Sequence, residues 1–492
     1  PSWWRSPTIV PAIALVATCL MVAAESRVAL AIAIIDGGIA AGVLAAAALS
    51  GGWLVYLLGL GNRPWSDRLT IGAGLGVGLL SLAVLGLGSA GWLTRPVAFA
   101  LVGILAVAGG SRLLIDIRQV LSPAGGGPDA EATASTVSRR EALALVPFHY
   151  LWLLACPFLA IALLAASLPP GILWMEEAGG YDVLEYHLAV PREFFEAGRV
   201  GFLPHNVYSN FPMNSEMLSL FMMTLRGDAI EAVFMAQMVN VALAVLFVAA
   251  AWWAGRVFSR AAGIAAGVLA AMTPWIAYLA GIAYVEPGML ALGMLALGAM
   301  LRAGREDTGR QAPRPGLGTN AASGTGSDTQ ATSGRQDFVA KQWVIAAGLL
   351  AGLAAGYKYT AIPLIVVPIA LVPLVAKLPW RSRLRHVVLF SLAAVITFAP
   401  WMIRNVVNTR NPVFPLAYGV FGARAGTWDA ESQARWQYAH GWAGSGLRPG
   451  ESRTEAVLQR TVGDDRIGPI LLALAVVVAI ARRDRWTVVL LL

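Results

Sequence analysis

The chain has 492 residues, of which 57% are hydrophobic and only 13% charged, and its mean hydropathy is +0.66. Soluble domains carry roughly a quarter charged residues, so this composition excludes a water-soluble enzyme, and it also excludes collagen, coiled-coil and disordered classes. The 36 Lys and Arg outnumber the 28 Asp and Glu by 8, an excess that reads here as loop charge holding a membrane topology, not as a nucleic-acid site.

A membrane span needs about 20 apolar residues. Such windows fall at 8–24, 38–60, 70–89, 97–115, 150–170, 229–252, 260–279, 285–303, 343–357, 359–376, 387–403 and 467–482, with one more starting near Trp486. The expected fold is an all-α polytopic membrane protein of about 12–13 transmembrane helices. The first window follows Arg5 and ends in Val22-Ala23-Ala24; it reads as an uncleaved span, because more spans follow directly, with a cleaved signal peptide as the alternative. The pair 343–376 is divided only by Lys358. Cys19 and Cys156 both stand in apolar runs and read as buried thiols, which excludes a disulfide scaffold.

Residues 1–121 form a four-span block rich in Gly, Ala and Leu, read as structural. Its one intramembrane candidate acid, Asp36, can sit at a helix end. Two linkers, 122–145 and 304–341, are dominated by Gly, Ser, Thr, Pro and Ala, a composition that predicts disorder. They separate the block from a core in two parts, 146–303 and 342–492.

Charge tests this map. Arg112, Arg118, Arg139 and Arg140 share one loop, and Arg256 and Arg260 another. A third holds Arg302, Arg305, Arg310, Arg314, Arg335 and Lys341, a fourth Lys377, Arg381, Arg383 and Arg385, and a fifth Arg482, Arg483 and Arg485. If the spans alternate, all five lie on one side, which the positive-inside rule makes cytoplasmic. The other side receives the acid-rich loop 171–228 and the mixed loop 404–466, so the chemistry is expected there.

The first outer loop contains GGYDVLEYHL, starting at Gly179. Asp182, Glu185 and Tyr186 are spaced to share a helical face. Asp182 follows a Gly-Gly and has aromatic neighbours, surroundings that tune a carboxylate toward base catalysis. Glu176, Glu177, Glu193 and Glu196 read as solvated loop acids. Pro191 is expected to open a short interfacial helix that Gly198 stops. His205, Asn206, Tyr208, Asn210 and Asn214 then offer hydrogen bonds suited to a sugar or a head group. Glu286, in YVEPG at the next outer turn, has no basic neighbour in sequence. Lys358 and Arg404 stand at outer helix ends as candidate phosphate clamps or as interfacial anchors. Walker, HExxH, GxSxG and Cys/His zinc patterns are absent. A divalent ion held by Asp182, Glu286 and a histidine is chemically possible, although no spacing indicates one.

From about residue 150 onward the chain resembles the membrane-embedded GT-C glycosyltransferases. It is most similar to the group of protein O-mannosyltransferases and bacterial aminoarabinose transferases. The matching pieces are YDVLEYHLAVPREFFEAGRV, AYVEPG, GLLAGLAAGYKYTA and PWMIRNVVNTRNPVFP. The resemblance implies a GT-C-like core that moves a sugar from a polyprenyl-phosphate donor to an unknown acceptor. The acceptor would be a lipid, glycan or protein at the outer face of a bacterial inner membrane, in cell-envelope glycosylation. It implies Asp182 as catalytic base, Glu286 as a site acid, and Lys358, with Arg404 beside it, as the binder of the lipid phosphate. The family's usual adjacent pair of acids is absent, so Glu185 and His187 stand as further catalytic candidates. Tyr181, Tyr186, His205, Asn206 and Tyr208 are the candidates for sugar or acceptor binding. No cofactor and no nucleic acid are called for; the bilayer is the standing partner. The rival readings are a transporter or flippase of lipid-linked saccharides and a non-catalytic subunit of an envelope assembly complex.

Overall fold

The computed structural model describes residues 9–121, 149–170, 172, 181–308, 326–376, 378–440 and 451–462. Among these residues the structure is helical, with no strand. The chain is an all-α polytopic membrane protein. Six described helices are long and apolar enough to cross a bilayer, or seven if one bent pair is a single span.

The elements run in chain order: α1 Ile9–Glu25, α2 Arg27–Ser50, α3 Gly52–Leu57, α4 Trp65–Ala90, α5 Arg95–Leu121 and α6 Tyr150–Ala166. Then come α7 Ala189–Glu196, α8 Asn214–Arg226, α9 Val233–Gly255, α10 Arg260–Ala271, α11 Pro274–Gly281 and α12 Glu286–Thr308. The last are α13 Gly326–Ala355, α14 Val367–Val375, α15 Trp380–Thr409, α16 Tyr418–Phe421, α17 Ala430–His440 and α18 Arg453–Val462.

Local chemistry explains several boundaries. Ser26 caps α2 by accepting from the Ala29 amide at 3.1 Å, and Ser259 caps α10 through the Ala262 amide at 2.9 Å. Gly198, at φ +62°, stops α7 as expected, but the helix opens at Ala189, two residues before Pro191. The windows 8–24, 150–170, 343–357 and 359–376 are helical but short of a full span in their described apolar parts. Lys358 does divide the last two. Windows 467–482 and the one from Trp486 lie outside the described residues, as do linker residues 122–148 and 309–325. Residues 326–341 are helical, contrary to the expected disorder. Extending an existing helix adds a bond per residue, so the polar lead-in continues the apolar helix behind it.

Asp36 is not at a helix end. It lies in the middle of α2, buried, 3.6 Å from Arg226 of α8. Cys156 is buried and Cys19 half-buried, both as free thiols.

The N-terminal block is packed into the core. Leu295 and Leu350 fill the space beside Gly74 of α4, and Leu353 that beside Gly78. Small residues let helix backbones approach, and in lipid such packing, not water exclusion, holds helices together. The same device joins α13 to α15, where Gly348 and Gly352 face the carbonyls of Phe390 and Ala394.

The bundle's two ends differ in chemistry. At one end Arg63 pairs with Glu306 (2.7 Å), Arg68 and Arg112 share Asp116, and Trp253 Nε1 donates to Asp67 (2.7 Å) beneath the Arg302 guanidinium. At the other end the turn after α4 meets α7, where the Val200 amide donates to the Gly88 carbonyl (3.0 Å) and the Asn214 amide to Gly356 (2.8 Å). The candidate site lies at this second end.

Candidate functional site

The segment before α7 makes a π-helical turn over Val183–His187. Tyr186 OH donates to Asp182 Oδ2 at 3.1 Å, the contact that the i, i+4 spacing foresaw. Asp182 is half-buried, while Tyr186 is buried and stacks on Tyr208 with ring centroids 4.8 Å apart. Tyr208 OH in turn meets His440 Nε2 of α17 at 2.9 Å. Burial, and then Asp182, raise the Tyr186 phenol far above its ordinary value, and burial pushes Tyr208 up to about 12. Both phenols are therefore hydrogen-bond donors at neutral pH.

His187 points the other way, into the protein. Its Nδ1 lies 2.5 Å from Glu216 Oε1 of α8, and the two side chains are 1% and 2% exposed. Burial, and then the Lys358 ammonium, push His187 down to about 3, and burial pushes Glu216 well above the usual carboxylate range. Desolvation thus opposes the charged form of both partners and favours a neutral pair over an ion pair. Its outer atoms, His187 Nε2 and Glu216 Oε2, have no hydrogen-bond partner among the described residues.

Beside it Lys358 Nζ donates to Glu286 Oε1 at 2.7 Å, the side chains being 24% and 21% exposed. Glu286 opens α12, and Lys358 occupies the break between α13 and the next helical turn, so two helix ends meet in this ion pair. Burial opposes the Lys358 charge, yet Glu286, with Asp182 and Glu216 also acting, holds its pKa above the ordinary lysine value. The cluster Asp182, His187, Glu216, Glu286 and Lys358 is therefore one electrostatic unit. Tyr284 closes it from α12's side, 5.3 Å from the His187 ring.

The other expected site residues make contacts of their own around the cluster. Tyr181 and Glu185 hydrogen-bond to each other at the rim, and that bond raises the Tyr181 phenol. Asn206 accepts from the Tyr208 amide and donates to the Glu185 carbonyl, so it shapes the loop. His205 pairs with Glu193 at 2.9 Å. Arg404 is buried, with Nη2 donating to the carbonyls of Gly201 and Ser209 and the guanidinium between Phe194 and Trp401. It braces the 201–209 loop from a buried position, while its Nε and Nη1 have no partner among the described residues. Lys358 likewise is committed to Glu286, which had no basic neighbour in sequence. Glu286 is paired with Lys358, and His187 with Glu216. Among the described residues no group of three or more His, Cys, Asp or Glu is arranged to hold a metal ion.

Sequence reasoning missed Glu216 and His440. Glu216 had a signal: it is the one acid in NSEMLSLFMMTL, an otherwise uncharged helical segment. His440 had none.

An apolar cavity of about 410 Å³ opens among α1, α6, α9, α10 and α11. Ile276, Ala277 and Ala280 of α11 line it. The next residues of the same segment, Leu279, Ile282 and Tyr284, pack on Val183 and Leu188 of the site loop. Comparison of the chain with protein-family models, with curated proteins and with solved structures gives no match.

Proposed function

We propose that this protein is a membrane glycosyltransferase that takes a sugar from a polyprenyl-phosphate donor at the extracytoplasmic face of a bacterial inner membrane. The observation that carries the reading is the convergence of a half-buried carboxylate, an aromatic pair and a cation at one end of an apolar bundle. Asp182 has one oxygen held by Tyr186. As general base it takes the proton of an acceptor hydroxyl while the acceptor oxygen bonds to the anomeric carbon. The bond from that carbon to the phosphate oxygen breaks, and polyprenyl phosphate leaves with the anomeric centre inverted. The Tyr186–Tyr208 pair offers a flat apolar face for a sugar ring. Lys358, sharing its charge with Glu286, stabilises the leaving phosphate. The apolar cavity behind α11 provides room for part of the lipid chain. The orientation follows from the basic loops, read as cytoplasmic. No nucleotide site is needed, because the donor's sugar–phosphate bond supplies the driving force.

The test is Asp182→Asn in purified, reconstituted protein supplied with polyprenyl-phosphate sugars. Loss of a positioned base is expected to slow release of polyprenyl phosphate by about 10²–10⁴-fold, with membrane insertion and thermal unfolding unchanged. A fully active variant overturns the role of Asp182.

A further inference from the structure

We propose that the seam between the α4–α5 turn and α7 binds the phosphate head group of a membrane phospholipid, at a site separate from the Asp182 cluster. A cavity of about 280 Å³ lies in this seam, lined on one side by Gly88, Leu93, Thr94 and Arg95 and on the other by Phe195, Arg199 and Leu220, among others. No acid is among its lining residues. Among the described residues each arginine is fixed through Nε alone. Arg95 donates to the Leu225 carbonyl at 3.2 Å and Arg199 to the Ser89 carbonyl at 3.1 Å. The Arg95 guanidinium lies over Gly227, where an added Cβ would sit 3.1 Å from its Nη1, and Gly227 is itself held at φ +82° as the C-cap of α8. Neither arginine has a carboxylate partner among the described residues. Two positioned guanidiniums whose terminal N–H groups are uncommitted among the described residues match phosphate oxygens in charge and geometry.

The position argues for a lipid over a free anion. The α4 and α5 helices are both candidate spans, so the turn between them marks a membrane boundary. Trp92 in that turn is 68% exposed, the usual place of an interfacial tryptophan. Below Arg95, whose guanidinium is 5.8 Å from the Phe99 ring, α5 exposes Phe99, Ile104 and Val107 as a track for acyl chains. The N-terminal block thus supplies half of a head-group site, independently of any sugar transfer.

The test measures retention of phosphatidylglycerol by the detergent-solubilised full chain, using native mass spectrometry, against phosphatidylcholine of the same chains. The native protein is expected to prefer phosphatidylglycerol. Joint Arg95→Gln and Arg199→Gln substitution should weaken that binding about thirtyfold, from the typical contribution of two cations at a membrane surface. Arg410→Gln with Arg435→Gln, which removes the same charge elsewhere, should not. Leu93→Trp, which fills the cavity and keeps both arginines, should also weaken it. If either seam variant fails to fold, the native protein is read by hydrogen exchange at residues 93–95 and 198–200 in nanodiscs. Slower exchange with phosphatidylglycerol than with phosphatidylcholine is expected. Equal binding by the seam and control variants, or exchange indifferent to the lipid, overturns the proposal. Displacement of the lipid by millimolar inorganic phosphate would assign the seam to a free anion and overturn the lipid.

Discussion

Lys358→Met removes one partner of the pair that joins α12 to the break after α13 and leaves the other partner in place. At 2.7 Å the gross attraction is about 6 kcal/mol at an effective dielectric of about 20, most of it offset by the desolvation of both charges. Breaking a buried pair from one side costs about 3–5 kcal/mol. Because 24% and 21% of the two side chains remain exposed, the lower end applies, so Lys358→Met should cost about 3 kcal/mol. Glu286→Gln leaves an ammonium that can reach water along its own stem, and should cost about 2 kcal/mol. The double variant leaves no orphan charge and should also cost about 2 kcal/mol, giving a coupling near 3 kcal/mol. Equilibrium unfolding in mixed detergent micelles, followed by circular dichroism across the four proteins, measures the cycle. Additive losses within about 0.5 kcal/mol would refute the ion pair and the electrostatic unit built on it.

The neutral His187–Glu216 pair predicts a specific pH profile. Glu216 has its folded pKa raised above 4.5, so it binds extra protons when folded, and its stability contribution is full below pH 4.5 and lost as pH rises. His187 is lowered from 6.5 to about 3, so its contribution is full above 6.5 and lost as pH falls toward 3. Above pH 4.5 the two trends oppose, so the rise in stability that His187 alone would give up to pH 6.5 should be flattened. Glu216→Gln removes the opposing trend, so its stability should rise more steeply over pH 4.5–6.5 than that of the native protein; an unchanged slope would contradict the assignment. The glycines predict opposite signs in two helices. Gly352→Ala drives a methyl into the Ala394 carbonyl across the α13–α15 contact and should cost about 1–3 kcal/mol. Gly110→Ala on α5 meets no neighbour within 4 Å and should stabilise by about 0.5–1 kcal/mol, both read from the same unfolding curves.

The sequence by itself determined what short-range physics controls. Apolar windows place the helices, Lys358 divides the 343–376 run, Gly198 stops α7, and the four-residue spacing puts Tyr186 on Asp182. Each follows from the helical repeat or from the conformation of one residue. The tertiary structure alone decided which charge meets which. Glu286 and Lys358 are 72 residues apart, His187 and Glu216 29, and Arg404 and Ser209 195. Sequence shows that a charge near the membrane must be satisfied, because leaving it unpaired is costly, but not what satisfies it. For that reason neither Lys358 nor Arg404 shows a partner in the sequence, whereas the fold brings a carboxylate to one and two backbone carbonyls to the other. By the same reasoning Glu216 stood unnoticed until burial made it the partner of His187.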